Sequence, residues 1–327
     1  MADHVVSLRF ATDSRRWLQL ALAAIWVLDG LLQYQTYMFT KAFSVDVLKN
    51  AALGNPPWIA GSIMWAAGVV HQYPLATNAV FATLQLALGL GIAFRRTLKP
   101  ALAASIGWSL LVWWFGEGLG GLLTGQANPL SGAPGGVLLY VLLAVVLWPT
   151  DRSTVGTYVA SRPVGPVAAT VIWIALWGGL ATLALQPANL TRQGIRELVT
   201  AMTGGQPRWL VSVMTGFANL SSQHGAAFTV IGAVILALIG IGILLPKPGP
   251  RISVIASLVA AGFIWAIGEA LGGVVGGRST DVGSGLLLAL IALAYWPGNI
   301  GSARSLTPDP DAMSQRSVTL HQDEVAK

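Results

Sequence analysis

Eight long apolar stretches follow one another along the sequence, and they constrain the fold more than any other feature. Each is long enough to cross, or nearly cross, a bilayer core roughly 30 Å thick as an α-helix. Only 10% of the residues are charged, whereas soluble domains carry about 25%. The sequence therefore predicts an all-α integral membrane protein with about eight transmembrane helices. The predicted spans are 17–37, 75–95, 100–124, 135–149, 164–186, 224–246, 252–275 and 283–297.

The positions of the basic residues predict how these helices are oriented. Cytoplasmic loops of membrane proteins carry an excess of Lys and Arg. Most of the 19 Lys and Arg residues fall on one side if both termini are cytoplasmic. We therefore expect a plasma (inner) membrane protein with its N- and C-termini in the cytoplasm. The net charge of +6 comes mostly from Lys and Arg at the ends of the spans, and no compact basic surface for nucleic acid is predicted.

The two halves of the sequence align with each other. WWFGEGLGG at 113–121 matches WAIGEALGG at 265–273, and LWP at 147–149 matches YWP at 295–297. Each half has an even number of spans, so the two repeats enter the membrane in the same direction and are parallel. The predicted organisation is a cytoplasmic segment (1–16), a first four-helix repeat (17–150), a cytoplasmic linker (151–163), a second four-helix repeat (164–298) and a disordered cytoplasmic tail (299–327).

Two amphipathic segments lie between the first two spans, at 39–52 and 56–70. Trp58 and Trp65 in the second segment favour a position at the membrane interface. We expect short helices on the outer face. They either cap the bundle or form a lid over a site below it.

Glu117 and Glu269 lie inside predicted spans, one in each repeat. An ionisable group there costs at least about 2.5–3.5 kcal/mol on insertion scales, which makes it a candidate functional residue. On a continuous helix, Trp113 shares the face of Glu117, and Gly116 and Gly120 form a GxxxG strip beside it. Two interpretations remain open: a clamp that holds the helices together, or a site for a proton, a cation or a polar ligand.

The first repeat carries more buried polar residues than the second. Asp29, Gln33 and Gln85 lie in its spans, and the second repeat has Leu180, Ala184 and Leu236 at the matching positions. Stability alone does not explain this difference, so we predict that the first repeat holds the working site and the second is mainly scaffold. The predicted ligand- or proton-binding residues are Glu117, Asp29, Gln33, Gln85, Trp113 and Glu269.

Cofactor chemistry has little support in the sequence. The chain has no cysteine, which excludes disulfides and thiolate-bound metals from this chain alone. His71 and His224 are the candidates for a metal site together with the glutamates, since imidazole and carboxylate suit zinc, copper or iron. The sequence requires no cofactor, contains no nucleotide-binding or hydrolase motif and predicts no catalytic residue. We therefore do not expect an enzyme on its own.

Parts of the first half resemble the DoxX/DoxD-like family of four-helix membrane proteins. RRWLQLALAAIWVLDGLLQ (15–33) is similar to that family's first span, and LQLALGLGIAFRRTLKPAL (84–102) to its second. The sequence departs from the family at Gln85, where the family pattern has a glutamate. Some relatives are membrane subunits of a thiosulfate:quinone oxidoreductase. The resemblance thus implies a quinone or lipid ligand and a membrane or redox protein as partner.

Three functions compete at this point. The first is binding or transport of a small polar or cationic ligand, or of a proton, at an outward-facing carboxylate site. The second is a quinone- or lipid-interacting membrane subunit of a redox complex. The third is a structural or assembly factor whose glutamates clamp helices. The intramembrane carboxylates favour the first.

Overall fold

The chain forms α-helices joined by short 3₁₀ and π turns in a computed structural model, which describes residues 2–150 and 157–298. The helices of the first half are α1 (Ala2–Leu32), α2 (Lys41–Phe43), α3 (Pro57–Gln72), α4 (Pro74–Ala93), α5 (Leu98–Phe115) and α6 (Gly136–Val146). The second half contains α7 (Ser161–Val164), α8 (Pro166–Ala184), α9 (Gly194–Ala201), α10 (Arg208–Ser221), α11 (Gly225–Gly242), α12 (Gly249–Phe263) and α13 (Ser284–Ala294). The predicted disordered tail and residues 151–156 of the predicted linker lie outside the described residues.

Within the described residues, five helical stretches are long and apolar enough to cross a membrane, as expected for an integral membrane protein. They are α4, α5, α8, α11 and the run Gly249–Gly276 that α12 begins. The predicted fourth and eighth spans are shorter in the structure than expected. Helices α6 and α13 have 11 residues each, about 16 Å at 1.5 Å per residue. That is roughly half of a hydrocarbon core.

The third predicted span ends earlier than its apolar sequence indicates. Helix α5 stops at Phe115, and the following stretch Gly118–Gly121 has positive φ angles throughout, including φ 57° at Leu119. A side chain at Gly120 would meet the carbonyl oxygen of Pro134. The predicted helical GxxxG strip is therefore wrong: Gly116 ends α5, whereas Gly120 permits a left-handed turn and a close backbone approach.

The predicted interfacial segments are helical but broken. Residues 39–52 form part of a 3₁₀ turn (Thr36–Phe39), the short α2 and a π turn (Ser44–Lys49), and α3 covers the second segment. Phe43 and Leu48 are buried against α3. The two segments thus pack on each other and form one wall of the first half.

Four helix pairs and a central contact build the bundle. Helix α1 packs on α4 and α8 on α11, while α5 packs on α6 and α12 on α13. The two short helices α6 and α13 also contact each other, and one hydrophobic core extends through both halves. Trp26 and Tyr140 are two residues of the first half that belong to this core, and their ring centroids are 4.2 Å apart. The halves are therefore joined by a continuous apolar interior.

The loop formed by residues 277–283, here called the crossing loop, leaves the second half and contacts the first. The side-chain amide of Gln33 donates to the carbonyl oxygen of Thr280 at 3.2 Å. The backbone N–H of Val282 donates to Asp29 Oδ1 at 3.1 Å. Arg278 lies over the ring of Tyr37, 5.2 Å from its centroid. The crossing loop thus closes one side of the first half.

A loop of the first half, residues 118–135, makes the reciprocal contact with the second half. The side-chain amide of Asn189 donates to the carbonyl oxygen of Ala127 at 2.9 Å. Leu130 packs in an apolar cluster that includes Ile195 and Met214. The first half therefore supplies an aliphatic side chain to the interior of the second.

Candidate functional site

A cavity of about 530 Å³ lies in the first half, where α1 and α5 end and α4 and α6 begin. Its walls come from α1, α3, α4, α5, α6, the turn after α2 and the crossing loop. Four of the predicted site residues line it: Asp29, Gln33, Gln85 and Glu117. The structure therefore brings together side chains that lie up to 88 positions apart in the sequence, from residue 29 to residue 117. The volume suits a small organic molecule.

Aromatic rings make up much of the cavity wall. Trp26, Trp65, Phe81, Trp108 and Phe115 all line it. Trp65 is 68% exposed, and its ring centroid is 6.4 Å from that of Phe115. Because an exposed residue lines the cavity at this point, the cavity reaches the surface of the bundle between α3 and α5.

The carboxylate of Glu117 is held at the N-terminus of α6, where the backbone N–H groups of Gly136 and Val137 face it. The backbone N–H of Val137 donates to its Oε1 at 3.3 Å. The other carboxyl oxygen, Oε2, is buried and has no hydrogen-bond partner among the described residues. The N-terminal end of a helix favours negative charge, so α6 partly offsets the cost of burying this carboxylate. One oxygen of the carboxylate thus lacks a hydrogen bond among the described residues.

Glu269 occupies the corresponding place at the N-terminus of α13, but its carboxylate is fully bonded. Its Oε1 accepts from the backbone N–H of Ser284 at 2.8 Å and from the Ser284 hydroxyl at 2.6 Å. Its Oε2 accepts from the backbone N–H of Gly285 at 2.9 Å. Glu269 is therefore bonded as a structural residue, whereas Glu117 is only partly bonded.

Asp29 is the most deeply buried carboxylate of the cavity, with 2% of its surface exposed. Tyr140 donates its hydroxyl hydrogen to Asp29 Oδ2, and Val282 bonds the other oxygen. Asp29 therefore ties α1 to α6 and to the crossing loop. Asp29 lines the same cavity as Glu117.

Several polar atoms around this cavity are buried without a partner in the described part of the chain. Three are acceptors, Gln33 Oε1, Gln85 Oε1 and Glu117 Oε2, and two are indole N–H donors, those of Trp26 and Trp108. Leaving such a group unpaired costs about 1–3 kcal/mol. A bound molecule with matching polar groups would remove that cost.

A second cavity of about 370 Å³ adjoins the first, and six of its lining residues are glycines, four of them in the 118–135 loop. Glu117 and Asp281 line both cavities, and Glu269 lines the second. Sequence reasoning missed Asp281, although a charged residue between two apolar stretches was a visible signal. Its Oδ1 accepts from the backbone N–H of Gly283 at 2.7 Å, which fixes it within the crossing loop.

The two cavities are acidic. Four carboxyl groups line them: Asp29, Glu117, Glu269 and Asp281. No Lys, Arg or His is among the described residues that line either one. A buried charge without a counter-charge is costly, and neighbouring carboxyl groups cannot all be ionised unless a positive charge lies nearby. Protons or a cation must balance the site.

The remaining predicted residues lie elsewhere. Trp113 lines neither cavity, and its indole N–H donates to the carbonyl oxygen of Pro134 at 2.7 Å. His71 Nδ1 is 2.9 Å from the hydroxyl of Ser44, and His224 is exposed at the start of α11. Among the described residues, no group of three His, Asp or Glu side chains is placed to hold a metal ion.

Comparison with known proteins adds no relative. No family model, curated protein or solved structure matches the chain. The function must therefore be inferred from the two cavities and the residues around them.

Proposed function

We propose that this protein binds a small organic cation in the aromatic, acidic cavity of its first half, as a membrane transporter or receptor. The observation that carries the proposal is the combination of a Glu117 oxygen that lacks a hydrogen bond with aromatic walls and, among the described residues, no basic side chain in the lining. A cation over an aromatic face is attracted by the ring, and more strongly where water is excluded. A carboxylate supplies the opposite charge.

The proposal includes the predicted tandem duplication. Equivalent contacts support it: the indole of Trp113 donates to the Pro134 carbonyl, and that of Trp265 donates to the Val282 carbonyl at 2.8 Å. Glu117 and Glu269 each accept hydrogen bonds from the start of the next short helix. In this arrangement the first repeat binds the ligand and the second repeat closes the site with its crossing loop.

The proposal also includes the predicted orientation in the plasma membrane. With both termini in the cytoplasm, the cavity lies toward the outer side, because it is at the opposite end of α1 from Arg15 and Arg16. Basic residues near the cytoplasmic ends of the helices support this orientation. The ligand would then enter from outside the cell, past Trp65.

Direct binding to the purified protein tests the proposal. Calorimetry in detergent should detect 4-phenylbutylammonium and not the neutral 4-phenylbutan-1-ol, which has the same tail. Glu117→Gln should weaken the ammonium by about tenfold or more, since hydrogen bonds to charged groups contribute about 1.5–3 kcal/mol. Glu197→Gln is the matched control, because it removes the same charge from an exposed position on α9.

Two results would contradict cation binding. One is equal affinity for the ammonium and the alcohol. The other is unchanged affinity of the ammonium in Glu117→Gln together with an unchanged melting temperature. Equal loss in Glu117→Gln and Glu197→Gln would show a general effect of net charge rather than a site at Glu117.

A quinone-binding subunit is the second candidate function, and one observation favours it. Trp26 and Trp108 line the cavity, and their indole N–H groups are buried without a partner among the described residues. Such donors suit the carbonyl oxygens of a quinone, in keeping with the resemblance to the DoxX/DoxD-like family. Decylubiquinone in the same assay separates the two: it should bind equally to the wild type and to Glu117→Gln if this candidate is correct.

A further inference from the structure

Two glutamines of the cavity, Gln33 and Gln85, are neutral and so do not supply the charge that attracts a cation. Gln33 is 5% exposed and Gln85 is 7% exposed, and both line the cavity. The Oε1 atom of each is buried without a hydrogen-bond partner in the described residues. In Gln33 the amide orientation is fixed, because its nitrogen donates to the Thr280 carbonyl oxygen at 3.2 Å. Its oxygen is therefore an acceptor that lacks a donor.

The unpaired acceptors of the cavity come from three different helical elements. Gln33 directly follows α1, Gln85 is in the middle of α4, and Glu117 follows α5. An ammonium group with N–H bonds can donate to several oxygens at once, since –NH₃⁺ has three donors and no acceptor. A quaternary ammonium has the same charge but no N–H, so it would leave every one of these oxygens unpaired.

We propose that the cavity selects a primary ammonium group attached to an apolar tail, with Gln33, Gln85 and Glu117 accepting its N–H bonds and the aromatic wall enclosing the tail. This inference rests on the proposed cation-binding function and adds the chemistry of the headgroup. Gln33 and Gln85 determine specificity and Glu117 supplies the charge. The second repeat has Ala184 and Leu236 in the places of the two glutamines, so it lacks these acceptors.

Burial explains why the headgroup should be discriminated strongly. A site with buried polar groups rejects an analogue that cannot pair them, because the groups stay desolvated and unbonded in the complex. Trimethylation of the ammonium also adds volume within a cavity of about 530 Å³. The primary ammonium should thus bind at least tenfold more tightly than its trimethylated form.

The test compares two probes that have the same tail and the same charge. The full-length protein is titrated calorimetrically with 4-phenylbutylammonium and with N,N,N-trimethyl-4-phenylbutylammonium. Gln85→Leu, which introduces the residue found at position 236, should weaken the primary ammonium by severalfold and leave the trimethyl probe unchanged. Because it replaces a buried group that lacks a partner, Gln85→Leu should melt at the same or a higher temperature than the wild type.

The outcomes are separable. Equal or tighter binding of the trimethyl probe overturns the headgroup inference while cation binding stands. Binding of neither probe overturns the proposed function itself. If Gln85→Leu fails to fold, Gln85→Met takes its place as an apolar side chain of similar shape, and the wild-type comparison of the two probes decides the inference without any variant.

Discussion

Changing each of the two paired glutamates to glutamine should separate their roles by stability. Glu269 accepts three hydrogen bonds from Ser284 and Gly285, all buried. A glutamine has one oxygen, so its NH₂ group must face a donor, either at Ser284 or at Gly285. That position loses a charge-assisted hydrogen bond, at a cost of about 1.5–3 kcal/mol. Glu269→Gln should therefore destabilise the protein clearly.

The same change at Glu117 disturbs fewer hydrogen bonds. The amide oxygen still accepts from Val137, and the NH₂ group takes the place of the unbonded Oε2. The expected cost is about 1 kcal/mol or less, the difference between a charged and a neutral acceptor at one long bond. Glu117→Gln should thus fold like the wild type and lose ligand binding instead.

Tryptophan fluorescence during heating in detergent measures the difference. At roughly 2 °C per kcal/mol for a large domain, Glu269→Gln should lower the melting temperature by about 3–6 °C and Glu117→Gln by about 2 °C or less. Ser284→Ala, which removes only the hydroxyl donor, should give an intermediate value. If both glutamine variants lose the same stability, or if Glu117→Gln loses more, the distinction between a structural and a binding carboxylate is refuted.

Three further predictions follow from the backbone, the second cavity and the orientation. Gly120→Ala should destabilise more than Gly125→Ala in thermal melts, because both have positive φ but only Gly120 faces a carbonyl oxygen closely; equal losses would contradict the close approach. In this cysteine-free chain, Ser131→Cys should react with a hydrophilic thiol reagent because residue 131 is exposed beside the second cavity. Ser105→Cys, at a fully buried position, should remain unreactive, and equal labelling would show that the assay does not report the cavity. Asn50→Cys should react with the same impermeant reagent in intact cells, whereas labelling only after lysis would reverse the proposed orientation.

The polar residues of the site were predictable from the sequence because of where they lie. Asp29, Gln33 and Gln85 interrupt apolar stretches, and such residues face protein or a cavity rather than lipid. The contrast with Leu236 indicated that one half differs from the other. The structure places these three residues and Glu117 around one cavity. Their role in binding a ligand stays a prediction.

Other features of the site depend on tertiary structure that periodicity does not encode. Gly118–Gly121 suits a tight helix–helix contact as well as a left-handed turn, and only the approach of Pro134 selects the turn. Asp281 was missed because the sequence of the second half does not indicate that its loop contacts the first half. The sequence indicates how far a residue lies along its span, and it does not show that the crossing loop reaches Asp29.

The crossing loop also bears on why two such halves would be kept in one chain. Counting back from the carbonyls that accept the two indole bonds, Asp281 corresponds to Ala133 in the first half. In a dimer of identical subunits both loops would carry the same residue at this position. Such a dimer would therefore contain either two of these carboxylates or none. Joining the halves frees each loop to mutate independently. If the proposed duplication and binding site are correct, covalent linkage would thus allow an assembly of two similar halves to hold one acidic compartment that has no counterpart in the other half.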